Sequence, residues 1–85
     1  MYLIYFENKN GFRHYVNHVV YDSNGEIKHI YFSSSIRGNY HETFYKNYDE
    51  SEVDKISTYI INGLINRTHF RQFENNGYNF IVKKL

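Results

Sequence analysis

Apolar residues fall in short clusters separated by polar, glycine-bearing turns, with a single long periodic run in the second half of the chain. Residues 2–8 (YLIYFEN) alternate poorly but are rich in strand formers, and they predict a first strand. Asn8-Lys9-Asn10-Gly11 is a turn signal, with Gly11 free to take positive φ. Residues 12–21 predict a second strand. Asp22-Ser23-Asn24-Gly25 is the clearest local signal, a tight hairpin turn ending in glycine, and residues 27–33 predict the third strand. These three segments read as an antiparallel meander.

The next stretch, 33–39 (SSSIRGN), reads as a loop, and Tyr40, Phe44, Tyr45 and Tyr48 fit either its continuation or an irregular strand. A connection over 33–48 is long for so small a domain, and long connections are often functional. Asp49 followed by Glu52 predicts a capping box, and the acidic first turn suits the helix dipole. Val53, Ile56, Ile60 and Leu64 then recur at spacings of 3 and 4, with Ile61 and Ile65 widening the stripe. This predicts one amphipathic helix of about four turns, weakened near its end by Gly63 and stopped at Asn66. The 70–74 segment has no clear pattern. Asn75-Asn76-Gly77 is another turn, and 78–84 predicts a last strand. The expected fold is α+β: an antiparallel sheet of three to five strands, in the order βββ-loop-α-β, with one helix packed on one face. Residues 1–85 are expected to form one compact domain.

Composition sharpens this picture. Ten tyrosines and seven phenylalanines in 85 residues exceed what so small a core ordinarily uses, and tyrosine suits contact surfaces. Rings left over for binding are therefore expected. The absence of cysteine excludes zinc–cysteine sites, thiol nucleophiles and a disulfide framework, and favours a reducing cytoplasmic setting. No run is long enough for a membrane span, and no signal-peptide pattern opens the chain, so no membrane partner is expected. A net charge of +1 with interspersed signs argues against a strongly acidic nucleic-acid mimic and against a histone-like binder. Abundant Asn, Tyr, Ile, Lys and Phe, with no Ala or Pro, point to an AT-rich coding genome, such as a low-GC bacterium or its phage.

Candidate chemistry is sparse. His14 and His18 lie four apart on one strand and share a face if the strand is regular. His29 joins them if Tyr21 pairs with Glu26, although one residue of slip sends it to the other side. No fourth ligand has telling spacing, and half-exposed histidines on a polar sheet face are the simpler reading, so no metal or other cofactor is expected. Ser33, Ser34 and Ser35 lie in the predicted loop without a triad pattern, and no catalytic motif appears. The chain is not expected to be an enzyme. Rings interleaved with cations carry more weight. One set is Arg13, Tyr15, Lys28 and Tyr31 on the hairpin, with His14 and His29. A second is Arg37, Tyr40, Tyr45, Lys46 and Tyr48 in the middle segment, and a third is Arg67 and Arg71 with neighbouring rings after the helix. Such sets suit either a protein hot spot or single-stranded nucleic acid.

The opening Met1-Tyr2-Leu3-Ile4-Tyr5, the arm Tyr15-Val16-Asn17-His18-Val19-Val20-Tyr21, Ile30-Tyr31-Phe32-Ser33, the single helix and the closing Asn79-Phe80-Ile81-Val82 together resemble small orphan proteins of low-GC bacterial phages. In particular, the layout is similar to that of some small anti-CRISPR proteins against type II-A systems. The resemblance is architectural and compositional, and it carries over no functional residue. It implies an inhibitor in the bacterial host cytoplasm that occludes a large host protein or protein–RNA effector, such as the Cas9 nuclease. The near-neutral charge departs from the acidic members and favours gripping a protein or protein–RNA surface. The alternative is a small single-stranded nucleic-acid-binding module, with Arg and Lys on phosphates and tyrosines on bases. A metal-dependent hydrolase built on His14, His18 and His29 is a weaker competitor. Exposed sheet edges leave a homodimer open.

Overall fold

The structure, a computed structural model, describes residues 1–34 and 45–85. The chain runs β1 (Tyr2–Asn8), β2 (Arg13–Tyr21), β3 (Ile27–Ser34), α1 (Glu50–Ile65), α2 (Arg71–Asn75) and β4 (Tyr78–Lys84). The four strands form one antiparallel sheet in the order β3-β2-β1-β4. This is the expected α+β arrangement, with α2 as an added short helix.

Two turns of the same design set the hairpins. In the first, Asn8 Oδ1 accepts from the amides of Asn10 and Phe12 at 3.0 and 2.9 Å. In the second, Asp22 Oδ1 accepts from Asn24 and Glu26 at 2.8 and 3.0 Å. Each closes on a left-handed glycine, Gly11 at φ 83° and Gly25 at φ 78°. An Asx side chain three residues before glycine thus replaces part of the ladder with its own hydrogen bonds and fixes the register.

The 33–48 connection begins later than the sequence suggests, because β3 continues through Ser34. Residues 35–44, including Arg37 and Tyr40, lie outside the described residues. At the end of the segment Tyr48 forms an isolated bridge to Tyr2, with reciprocal amide bonds of 2.8 and 2.9 Å. Its ring is buried, and its hydroxyl donates to the Val16 carbonyl at 3.2 Å. Asp49 follows at once and caps α1: its side chain accepts from the Glu52 amide, and Glu52 accepts from the Asp49 amide. This is the capping box that the sequence predicts.

The α1 stripe packs on one sheet face. Val53, Ile56 and Ile60 meet Ile4, Phe6, Val16 and Ile30, with Tyr48 and Phe70 completing the buried cluster. Phe6 stacks on Phe73 at 4.2 Å, which draws α2 onto the same face. Ile61 and Ile65 do not widen the buried stripe. They are 45 and 71 % exposed, and Gly63 is buried in their place. The reason is steric. A Cβ at Gly63 would come within 2.8 Å of Thr68 Oγ1 and overlap the Phe70 ring, which is 1 % exposed. The helix ends in a Schellman arrangement: the Thr68 amide donates to Gly63 O and the Arg67 amide to Leu64 O. Arg67 takes the left-handed position at φ 56°, the only non-glycine residue to do so among those described.

This geometry inverts helix propensity at two positions. Gly63→Ala should lose at least about 1 kcal/mol of stability in urea unfolding, although alanine is the better helix former. Arg67→Gly should gain about 0.5–1 kcal/mol by relieving the left-handed backbone. A stabilised Gly63→Ala variant would contradict the packing described.

Candidate functional site

The sheet face turned away from α1 carries the candidate site. Strand alternation and the register place Leu3, Tyr5 and Glu7 of β1 on it, beside Arg13 and Tyr15 of β2. Arg13 pairs with Glu7 directly across the ladder, and its Nε donates to Glu7 Oε2. Its Nη1 donates to the Tyr15 hydroxyl at 2.9 Å, and its guanidinium lies 4.4 Å from the Tyr5 ring centre. Burial pulls the Arg13 pKa down, but the hydrogen bonds to Tyr15 and Glu7 outweigh it and hold the group above its ordinary value. Tyr45 then stacks on Tyr15 at 3.7 Å and 11°. Leu3, Tyr5 and Tyr15 are buried as a second small core, with Tyr45 and Ile81 packed against it. Tyr15 is pushed above the ordinary phenol range, chiefly by burial and against the pull of Arg13.

Further along β2 a bulge changes which residues share a face. Val16 pairs with Phe32, but His18 pairs with Tyr31, so Asn17 is an extra residue. His18 therefore turns to the outer face, whereas His14 stays on the helix side with Phe73 and Tyr78. The expected sharing of one face by His14 and His18 is corrected by this bulge. A second irregularity at Lys28 pairs Tyr21 with Ile27, not with Glu26, and sets His29 opposite Val20. Three histidines do not converge, and no group of three metal-ligating side chains occurs among the described residues. What assembles is an exposed row. Tyr31 is 52 % exposed, with the His18 ring at 6.0 Å across the ladder and the His29 ring at 4.4 Å on its own strand.

The predicted binding residues thus divide. Arg13, Tyr15 and Tyr45 meet in the braced cluster, and Tyr31 lies beyond it on the same face, with Lys28 exposed near the hairpin turn. Tyr15 and Tyr48 are interior, at 1 and 2 % exposure, so both pack rather than present a surface. Burial raises the Tyr48 pKa to about 12. Lys46 is exposed above the Tyr48 ring at 5.9 Å. Arg67 closes α1, and Arg71 pairs with Glu74 on α2, both apart from the outer face. Sequence reasoning missed Tyr5 and Glu7 as partners of Arg13. The signal was present, because the Asn8–Gly11 turn alone sets residues 7 and 13 opposite each other.

On the helix side His14 sits at a pocket lined by Asn8, Gln72, Phe73, Asn76 and Tyr78. Its Nδ1 lies 3.0 Å from Ser34 Oγ and its Nε2 lies 3.3 Å from the Tyr78 hydroxyl. Burial lowers its pKa below the ordinary histidine value. No helix among the described residues is long and apolar enough to cross a membrane. Comparisons with known protein families, with curated proteins and with solved structures give no match.

The His14 environment makes stability depend on pH. Because the folded pKa is depressed, the unfolded chain takes up the proton first as pH falls. Stability should be complete above the ordinary histidine value of about 6.5 and decline as pH drops through it towards the folded value. Urea midpoints for the wild type should fall over that window, and His14→Gln should show a shallower fall. Equal slopes in the two proteins would contradict a half-buried imidazole held neutral by its surroundings.

Proposed function

We propose that the chain is a stoichiometric binding protein that docks its outer sheet face on a macromolecular partner. The partner class that best suits it is a host nucleic-acid-handling effector, such as a CRISPR-Cas nuclease, which the chain would inhibit by occlusion in the bacterial cytoplasm. One observation carries this reading: the exposed Tyr31 ring, in contact with His18 across the β2–β3 ladder and with His29 on its own strand. A ring fixed by a strand ladder loses little freedom on binding, and tyrosine is enriched at the energetic centres of protein interfaces. The adjoining Arg13–Tyr5–Tyr15–Tyr45 cluster supports that surface as a rigid neighbour.

A second reading has its own support. The exposed Lys28 precedes His29 on the same strand as Tyr31, and ring faces and a cation on one strand suit the bases and phosphates of a single-stranded nucleic acid. Affinity would then fall steeply with salt.

A tagged pull-down from a low-GC bacterial lysate, with and without nuclease treatment, separates the two. The binding-protein reading expects one large protein retained in stoichiometric amount after nuclease treatment. Recovery of many proteins that vanishes with nuclease would favour the nucleic-acid module instead. Tyr31→Ala should weaken the captured complex by about 2 kcal/mol or more while leaving the unfolding midpoint nearly unchanged. A neutral Tyr31→Ala would remove the proposed docking face.

A further inference from the structure

The near-neutral net charge conceals a three-dimensional segregation. Of nine acidic residues, Asp22, Glu26, Asp49, Glu50, Glu52 and Asp54 belong to the β2–β3 turn and to the cap and first turns of α1. The fold brings these two segments together: Lys55 of α1 donates from Nζ to the Gly25 carbonyl at 2.6 Å. The ion pairs among the described residues engage Glu7 and Glu74, and neither belongs to this group. Asp22 is occupied by turn amides, and Asp49 and Glu52 by the capping box. Glu26 and Asp54 face a groove between the hairpin and the helix.

That groove has a volume of about 820 Å³, and Tyr21, Ile27 and Tyr59 give it an apolar floor. Tyr21 is 40 % exposed. Its phenol is pushed above the ordinary range, first by burial and then by the negative charges of Glu52 and Asp49. The groove already holds one ammonium of its own. Lys55 Nζ lies 5.2 Å from the Tyr21 ring centre while bonded to Gly25 O. Lys55 thus uses the Tyr21 ring and the Gly25 carbonyl, which leaves the Glu26 and Asp54 carboxylates on the rim for an incoming cationic head group and the apolar side chains for its methylene stem.

We propose that the groove between the β2–β3 turn and α1 docks a Lys/Arg-rich peptide segment of the partner protein. Charge complementarity selects the occupant. The rim attracts cations and repels phosphate, so the groove suits protein rather than nucleic acid. The proposal rests on the reading of the chain as a binding protein, and it adds a second contact made by a face other than the Tyr31 row. A partner that handles nucleic acid carries basic segments of this kind.

The test uses the full chain with a fluorescent Arg/Leu-alternating octapeptide, and the same peptide with citrulline in place of arginine. Binding is read by anisotropy, and its location by amide shifts in two-dimensional NMR. The arginine peptide should bind and shift Tyr21, Ile27, Lys55 and Tyr59, whereas the citrulline peptide should bind at least about tenfold more weakly. The double variant Glu26→Lys/Asp54→Lys should lose about tenfold in affinity, and the milder Glu26→Gln/Asp54→Asn should lose less while keeping the native spectrum. Tyr31→Ala should leave peptide affinity within about twofold. Unchanged affinity in the neutralised variant, shifts located elsewhere, or oligothymidylate binding in the groove would each overturn the proposal. If Tyr31→Ala releases the captured partner while both groove variants retain it, the binding-protein reading survives and the groove proposal fails.

Discussion

Tyr48 is the residue on which the rest of the structure depends. The β1–β2 ladder covers Tyr5, Phe6 and Glu7, and on the β2 side Tyr2 is paired instead with Tyr48. Backbone groups left open where β1 and β2 part would carry the cost of unpaired buried amides. Tyr48 meets that need through its own amide and carbonyl, while its ring fills the space beneath and its hydroxyl reaches Val16 O. Because Asp49 is the next residue and the N-cap of α1, the bridge also decides where the helix starts. One residue thereby couples the parting of two strands, the core and the placement of the helix.

The bulge at Asn17 begins beside the residue that Tyr48 grips. Before it, alternation sends His14 and Val16 to the helix side. After it, Val19 packs towards the core with Ile30, while His18 and Tyr31 face outward. A regular strand would have put His18 on the core side. The extra residue keeps the apolar set buried and exposes the ring row, so the local irregularity creates the candidate surface. The neighbouring Arg13 cluster shows the opposite use of aromatic residues. There, charge and rings are spent on one another, and little of either reaches solvent.

The strands, their turns and the capped helix were legible in the sequence because each rests on local chemistry: Asx–Gly turns, apolar spacing and an Asp–Glu box. The bulges were not: Asn17 and Lys28 are weak strand formers, but such residues also occur in regular strands, and a bulge is decided by what packs on each face. Counting rings predicted a surplus for binding, but the sequence did not show which ones. Phe6, Phe70, Tyr5, Tyr15 and Tyr48 are absorbed by two cores, whereas Phe12, Tyr21 and Tyr31 remain exposed among the described residues. Gly63 read as a weak point in the helix, yet it is where the helix admits Phe70. The acidic groove escaped a linear reading of charge, because its two halves lie more than twenty residues apart in the chain and are brought together by tertiary contacts such as Lys55 with Gly25 and Tyr21.

The most direct test of the outer face as a docking surface is site-specific photocrosslinking in a low-GC bacterial lysate, with benzoylphenylalanine placed at Tyr31 or at Ile65. Ile65 is 71 % exposed on α1, on the other side of the sheet from Tyr31, and is the control. The account predicts one dominant protein adduct from position 31 that is absent from position 65. Equal labelling from both positions, or none from position 31, would contradict it.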